Sequence, residues 1–299
     1  MRNHLGVNEI SFPRQHARTR RFSLGVPREF VIAPDGRRVV FLRTRTGTDP
    51  STCLWHYDVD GRAERLVVDP SALAHDDGDE VPAEERMRRE RAREASGGIV
   101  RFSTNREVTR AAFDVAGKIY VVDVLAGGVT EVPASGRAID PRIDPTGSVV
   151  AYVEAGALHA VRVDGGPARA LLSPENENVT YGLAEFVAAE EMGRQAGYWW
   201  SPDGSRLLVA RVDVSRVRRW YIADPSNPER PAVAVAYPVA GTDNANVTLH
   251  IVDLIGQREA QVIHAEVAIQ VLQRKHRDSI SPWTDCHGTM FEPPCSHRG

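Results

Sequence analysis

Basic excess is the first thing this sequence lacks. Its 37 lysine and arginine residues are outnumbered by 40 aspartates and glutamates, giving a net charge of -3. A chain that holds nucleic acid or an anionic membrane through charge needs the opposite balance, so neither partner is expected. Long apolar runs are missing too: no stretch reaches the ~18 residues that a membrane-spanning helix needs. The opening "MRNHLGVNEISFPRQHARTRRF" has charge but no apolar segment, so no secretory signal is expected. Cysteine is scarce and scattered, at Cys53, Cys286 and Cys295, which argues against a disulfide framework. The expected setting is therefore cytoplasmic. Lysine has almost given way to arginine, with Lys118 and Lys275 the exceptions. That bias points to a GC-rich, bacterial coding sequence and bears on no mechanism.

Several catalytic signatures are absent as well. The chain holds no G-x-S-x-G elbow, and so no assignable Ser-Asp-His triad. It has no G-x-x-x-x-G-K-[ST] phosphate loop and no G-x-G-x-x-G dinucleotide fingerprint. No cofactor is expected.

What is present is a repeated β design. "FVIAPDGRRVVFLRTRTG" from Phe30, "AAFDVAGKIYVVDVLAGGVTEV" from Ala111, "PRIDPTGSVVAYVEAGALHAVRVDGGPARALL" from Pro141 and "YWWSPDGSRLLVARVD" from Tyr198 each read as strand, turn and strand. The turns centre on Gly36, Gly117, Gly147 and Gly204, with Pro34, Pro145 and Pro202 presetting φ in three of them. A hairpin recurring at one place in a repeating unit, followed by further short strands, predicts an all-β fold and a β-propeller within that class. On this reading "YWWSPDG" opens a new blade.

Two segments break the β pattern. "DDGDEVPAEERMRRERAREAS", Asp76 to Ser96, predicts a helix: Pro82 suits its first turn, Glu84 and Glu85 its N-terminal end, and Gly97 and Gly98 stop it. Arg86, Arg89 and Arg93 share one side, with Arg88 and Arg91 close by. A solvated, salt-bridged surface helix would look the same. The second segment, "LAEFVAAEEMGR", has helical spacing and carries the adjacent acids Glu190 and Glu191.

Neighbouring carboxylates repel, and burial raises that cost, so such a pair belongs at water or opposite a cation. Beside a propeller cavity it suits a primary ammonium, whose three N–H donors match carboxylate acceptors. Glycosidase-type acid/base work is disfavoured. It needs carboxylates roughly 5–10 Å apart on facing elements, whereas adjacent helical residues diverge by about 100°. A solvated Glu-Glu pair on a helix surface remains the plain alternative.

From about His264 the Gly-turn repeat and the Val-rich strands are lost. His264, His276, His287 and His297 lie in this stretch with Cys286 and Cys295. The spacing of Cys286, His287, Cys295 and His297 fits no common zinc pattern, so no metal site is expected. The expected division is a propeller region over 1–263 and a non-native or disordered tail over 264–299.

Three stretches together carry a family resemblance. "GLAEFVAAEEMGRQAGYWWSPDGSRLLVARVD" resembles the double-Glu segment of the dipeptidyl peptidase IV branch of the prolyl oligopeptidase family of serine peptidases. "PAEERMRRERAREASGGI" resembles the arginine-bearing helix of the intracellular members. "YPVAGTDNANVTLHIVDL", Tyr237 to Leu254, is similar to that family's Tyr-Pro-x-Ala-Gly-x-x-Asn stretch. The resemblance covers Phe12 to Leu254. It implies an eight-bladed propeller followed by an α/β-hydrolase domain, with the substrate's free N-terminal amine held by Glu190 and Glu191. An arginine would contact the substrate's backbone carbonyl, with Arg89, Arg91 and Arg93 the candidates.

The family's nucleophilic serine lies far downstream of the Tyr-Pro stretch, and nothing here matches it. The chain is therefore expected to be about four to five blades of the propeller, with two short helical insertions, truncated by a shifted reading frame and inactive alone. Its expected partners are peptides with a free N-terminus. Either a homodimer or association with a separate catalytic part is compatible with an open partial propeller. The alternative is a stand-alone propeller module that binds peptides or proteins without catalysis.

Overall fold

The computed structural model describes residues 10–73, 97–134, 138–256 and the strand 258–264. After a short helix, α1 (Phe12–Arg18), the chain folds into successive antiparallel meanders. Blade 1 comprises β1 (Arg28–Ile32), β2 (Arg38–Thr44), β3 (Ser51–Asp58) and β4 (Ala63–Val68), with β5 (Gly97–Gly98) added parallel to β3. Blade 2 comprises β6 (Ser103–Thr104), β7 (Arg110–Val115), β8 (Lys118–Asp123) and β9 (Val129–Val132). Blade 3 comprises β10 (Ile139–Ile143), β11 (Val149–Glu154), β12 (Ala157–Arg162) and β13 (Arg169–Leu172).

Blade 4 is larger. It contains β14 (Val179–Leu183), a helix α2 (Phe186–Glu190), β15 (Ala196–Trp200) and β16 (Arg206–Asp213). A hairpin of β17 (Arg219–Ile222) and β18 (Val233–Ala236) follows, and β19 (Asn246–Asp253) and β20 (Arg258–His264) complete the sheet. The mostly-β meanders expected from the repeat are therefore present, as four blades among the described residues. The expected arginine helix, with Arg89, Arg91 and Arg93, lies outside the described residues, as do 265–299 with Cys286, His287, Cys295 and His297. Among the described residues, no helix is long and apolar enough to cross a membrane.

Strand alternation explains the packing. In blade 2, Ala111, Phe113, Tyr120 and Val122 face Val40, Leu42 and Leu54 of blade 1. Their sequence neighbours Ala112, Ile119 and Val121 face Val150, Tyr152 and Val161 of blade 3. Blade 3 in turn packs Ala151, Val153 and Leu158 on Tyr181, Tyr198 and Val209 of blade 4. Because successive side chains point to opposite faces, a strand apolar at every position can serve two interfaces at once. That is why these strands read as near-continuous hydrophobic runs.

One turn joins the first hairpin of every blade. Its first residue donates its N–H to the carbonyl five residues on, and accepts from the N–H three residues on. The pairs are Ala33/Gly36, Asn105/Val108, Asp144/Gly147 and Ser201/Gly204. The third-on residue is left-handed in each, at φ 73°, 52°, 81° and 74°. Where the first residue is Asn105 or Asp144, its Oδ1 accepts two further backbone N–H groups.

This corrects the placement of Gly117. The blade 2 equivalent of the glycine turn is Asn105–Val108, where buried Val108 holds a conformation that β-branched residues resist. Gly117 belongs to the next hairpin, between β7 and β8, and matches Gly156 between β11 and β12. Ala116 and Gly117 (φ 53° and 83°) and Ala155 and Gly156 (φ 48° and 74°) are both left-handed pairs, the type I′ arrangement of two-residue hairpins.

A second correction concerns where blade 4 begins. "YWW" does not open it. β14 pairs with the far end of β16 (Val179 with Asp213), and β15 pairs with the near end (Trp200 with Leu207). The two therefore form one interrupted first strand, and the segment 184–195 is an excursion from its middle. β1 and β10 carry bulges at the same level, beginning at Arg28 and Ile139. Those residues, like Ala196, stand five positions before the turn residues Ala33, Asp144 and Ser201.

Candidate functional site: the acidic excursion of blade 4

The excursion is closed at its neck and built largely from its own groups. Gly182 pairs with Gly197 and Leu183 with Ala196. A Cβ on Gly197 would lie 2.3 Å from the Gly182 carbonyl carbon, so the two backbones approach closer than any side chain permits. Beyond the neck, Glu185 caps α2. Its Oε2 accepts from Val187 N–H at 2.6 Å and its Oε1 from Ala188 N–H at 2.7 Å. Ala188 and Ala189 turn inward and are buried.

The acid pair sits at the other end of this helix. Glu190 is the last residue of α2 and Glu191 its C-cap, and both are exposed. Gly193, at φ 62°, reverses the chain, and Arg194 N–H returns to the Ala188 carbonyl at 2.9 Å. Gln195 Nε2 donates to the Ala189 carbonyl at 3.0 Å. Arg194 is buried. Its Nη1 donates to the Ala196 carbonyl at 2.7 Å, and its Nη2 lies 3.8 Å from Glu185 Oε1. Burial pulls the Arg194 pKa down and Glu185 opposes that shift; a guanidinium stays charged throughout.

The excursion also makes an aromatic contact with a distant stretch of the chain. Phe186 meets Tyr237 edge-on at 4.9 Å, and Tyr237 meets Trp220 at 5.2 Å. The acid-pair segment and the Tyr-Pro stretch, far apart in sequence, are thus neighbours. Arg89, Arg91 and Arg93 lie outside the described residues, so their distance from the pair is undefined. Glu185 and Arg194 escaped the sequence reading. The signals for them were an acid just before an apolar helical run and an arginine just after its Gly stop. No cluster of three or more metal-ligating side chains occurs among the described residues.

Four blades packed in succession around shared apolar faces define a β-propeller protein. A family model, the dipeptidyl peptidase IV (DPP IV) N-terminal region, matches residues 95–280. That is more than half of the chain, which belongs to this family. Human dipeptidyl peptidase 8 is 26% identical over 207 residues, covering 60% of this chain and 23% of that protein. Inactive dipeptidyl peptidase 10 of Rattus norvegicus is 34% identical over 89 residues, covering 29% of this chain and 11% of that protein. The crystal structure of Porphyromonas gingivalis dipeptidyl peptidase 4 matches with a TM-score of 0.58 at 18% identity, over 80% of this chain and 33% of that one. The chain therefore spans about a quarter of the human relative and a third of the solved chain.

Proposed function

We propose that this chain is the substrate-gating propeller part of a dipeptidyl-aminopeptidase, and that Glu190 and Glu191 hold the free N-terminal ammonium of a peptide. The observation that carries this reading is the excursion itself. Two adjacent, exposed carboxylates end a helix lifted out of a blade's first strand and fixed at a closed neck. An ammonium offers three donors to their acceptor oxygens, and a bound chain end is thereby held at a set distance from whatever acts on it. One of Arg89, Arg91 and Arg93 supplies the guanidinium for the substrate's backbone carbonyl. Hydrolysis is assigned to residues outside these 299, because they contain no G-x-S-x-G elbow. The setting we assign is cytoplasmic.

The test is binding of Gly-Pro-Gly against its N-acetylated form. The free-amine peptide should bind at least about tenfold tighter, and Glu190→Gln or Glu191→Gln should abolish that preference. Equal binding of both peptides by the unaltered chain sinks the ammonium reading. Turnover of a chromogenic Gly-Pro substrate by this chain alone sinks the assignment of catalysis elsewhere. A second reading, a module that binds proteins, draws on the hairpin of β17 and β18, where Trp220, Tyr221, Ile222 and Val233 are each more than half exposed. It predicts no amine preference at all.

A further inference from the structure

Glu185 and Arg194 sit at the entry and exit of the excursion, and together they link its helix start, its exit and its neck. Glu185 occupies both of its oxygens with the first N–H groups of α2. Arg194 reaches from the exit back to that same carboxylate, at 3.8 Å, and to the Ala196 carbonyl at the neck. Its side chain is 7% exposed, and its Nε has no hydrogen-bond partner among the described residues. Stability alone is a weak reason for this arrangement. A buried ion pair seldom outperforms well-packed apolar side chains of similar volume, and a 3.8 Å contact with a spare donor is far from ideal. What a guanidinium adds is geometry, since its planar fork ties two acceptors in fixed directions.

We infer that Arg194 is the positioning residue for Glu190 and Glu191, fixing the helix end by tying the exit of the excursion to its N-cap Glu185 and its neck. The inference rests on the ammonium-clamp reading for its consequence, but its geometry can be tested separately. Between Glu190 and Arg194 the chain makes a left-handed turn at Gly193. With the guanidinium gone, the link from that turn to the N-cap and the neck is lost, although backbone bonds and Gln195 remain, and the carboxylates sample more positions.

Two readouts test this on the full 299-residue chain. The first is cleavage after Glu190 and Glu191 by a glutamate-specific protease under native conditions. The second is the ratio of affinities for Gly-Pro-Gly and acetyl-Gly-Pro-Gly. Arg194→Met should speed cleavage at least about tenfold and reduce the free-amine preference at least about tenfold, while thermal unfolding of the blades moves little. Arg194→Lys, which keeps the charge but not the fork, should recover part of both, and Glu185→Gln should resemble Arg194→Met. If Arg194→Met does not fold, the Lys and Gln variants carry the same comparison. Unchanged cleavage and unchanged preference in these variants overturn the inference. If the unaltered chain shows no amine preference, the clamp reading fails, and unchanged protease protection then decides against Arg194 on its own.

Discussion

Glu190 and Glu191 occupy the end of a helix that welcomes anions least, since the macrodipole there is negative and the two charges repel. α2 has five residues, so the penalty is small, but its sign is the reverse of what stability favours. The acids were legible in the sequence because two like charges beside an apolar run are conspicuous. Their surroundings were not, because nothing local reveals that Glu185 turns inward as a cap while Glu190 lies exposed at the helix end. Cys53 presents a different case. Burial, then Asp69 and Asp49, push its thiol from 9.0 up to about 12. The folded chain keeps the proton, whereas the unfolded chain releases it above 9.0. Cys53 therefore contributes stability that is fully present below that value and is lost as pH rises toward 12. Replacing it by Ala or Val should flatten the alkaline decline in stability between those limits, and native alkylation at pH 8 should leave Cys53 unmodified by peptide mapping. Rapid modification would show that the site opens.

At the scale of elements, the sequence placed hairpins where Pro, Asp and Gly cluster, and blades 1 and 3 follow it. It failed where one element took an unusual residue or was split. Val108 performs the glycine's part in blade 2, and its buried side chain in the core shared with blade 1 offsets the cost of positive φ. No pattern of turn residues could mark it. In blade 4 the pattern misleads because the second half of an interrupted strand looks the same as the first half of a new one. Only the pairing of Val179–Tyr181 with β16 shows that the blade had already begun. The hairpin β17–β18 is not marked by the Gly-turn repeat, although "RWYI" and "VAVA" flank a segment that holds Pro225, Pro228 and Pro231. The type I′ turns give a prediction at this scale. Ala155 sits at φ 48°, a region that costs an L-residue roughly 1–2 kcal/mol and that Asn tolerates. Ala155→Asn should stabilise the chain by about 0.5–1 kcal/mol in denaturant titrations with an unchanged slope, since the neighbouring Gly156 already suits the turn. A destabilising result would mean that the alanine methyl packs more usefully than its backbone is strained.

At the scale of the whole molecule, the apolar cores among the described residues each join one blade to the next, with Arg106 of blade 2 also donating to the Pro202 carbonyl of blade 4 at 2.8 Å, so stability is approximately a sum of blade and interface terms. Side-chain donors fasten all three interfaces, through Arg38 and Arg65 between blades 1 and 2 and through Ser103 and Arg110 between blades 2 and 3, but between blades 3 and 4 the donors are aromatic side chains. Tyr198 is fully buried and donates its hydroxyl toward the carbonyls of Asp140 and of Ala151, the latter at 2.8 Å. Trp200 Nε1 donates to the Arg142 carbonyl at 3.0 Å. Burial and the nearby Asp140 push the Tyr198 phenol far above its ordinary pKa, so it remains a donor wherever the protein is folded. Arg142 lies over the same ring at 5.3 Å and is paired with Asp140. The first and third residues of "YWW" therefore fasten β15, the strand that receives the excursion, to the preceding blade. If this fastening holds the acid pair's platform, Tyr198→Phe should cost about 1–2 kcal/mol by leaving buried carbonyls without their donor. The loss should be concentrated at one interface: hydrogen exchange should quicken in β10, β14 and β15 while β2 and β3 of blade 1 keep their protection. Uniform quickening across all four blades would instead make the propeller a single cooperative unit, with no separate role for this interface.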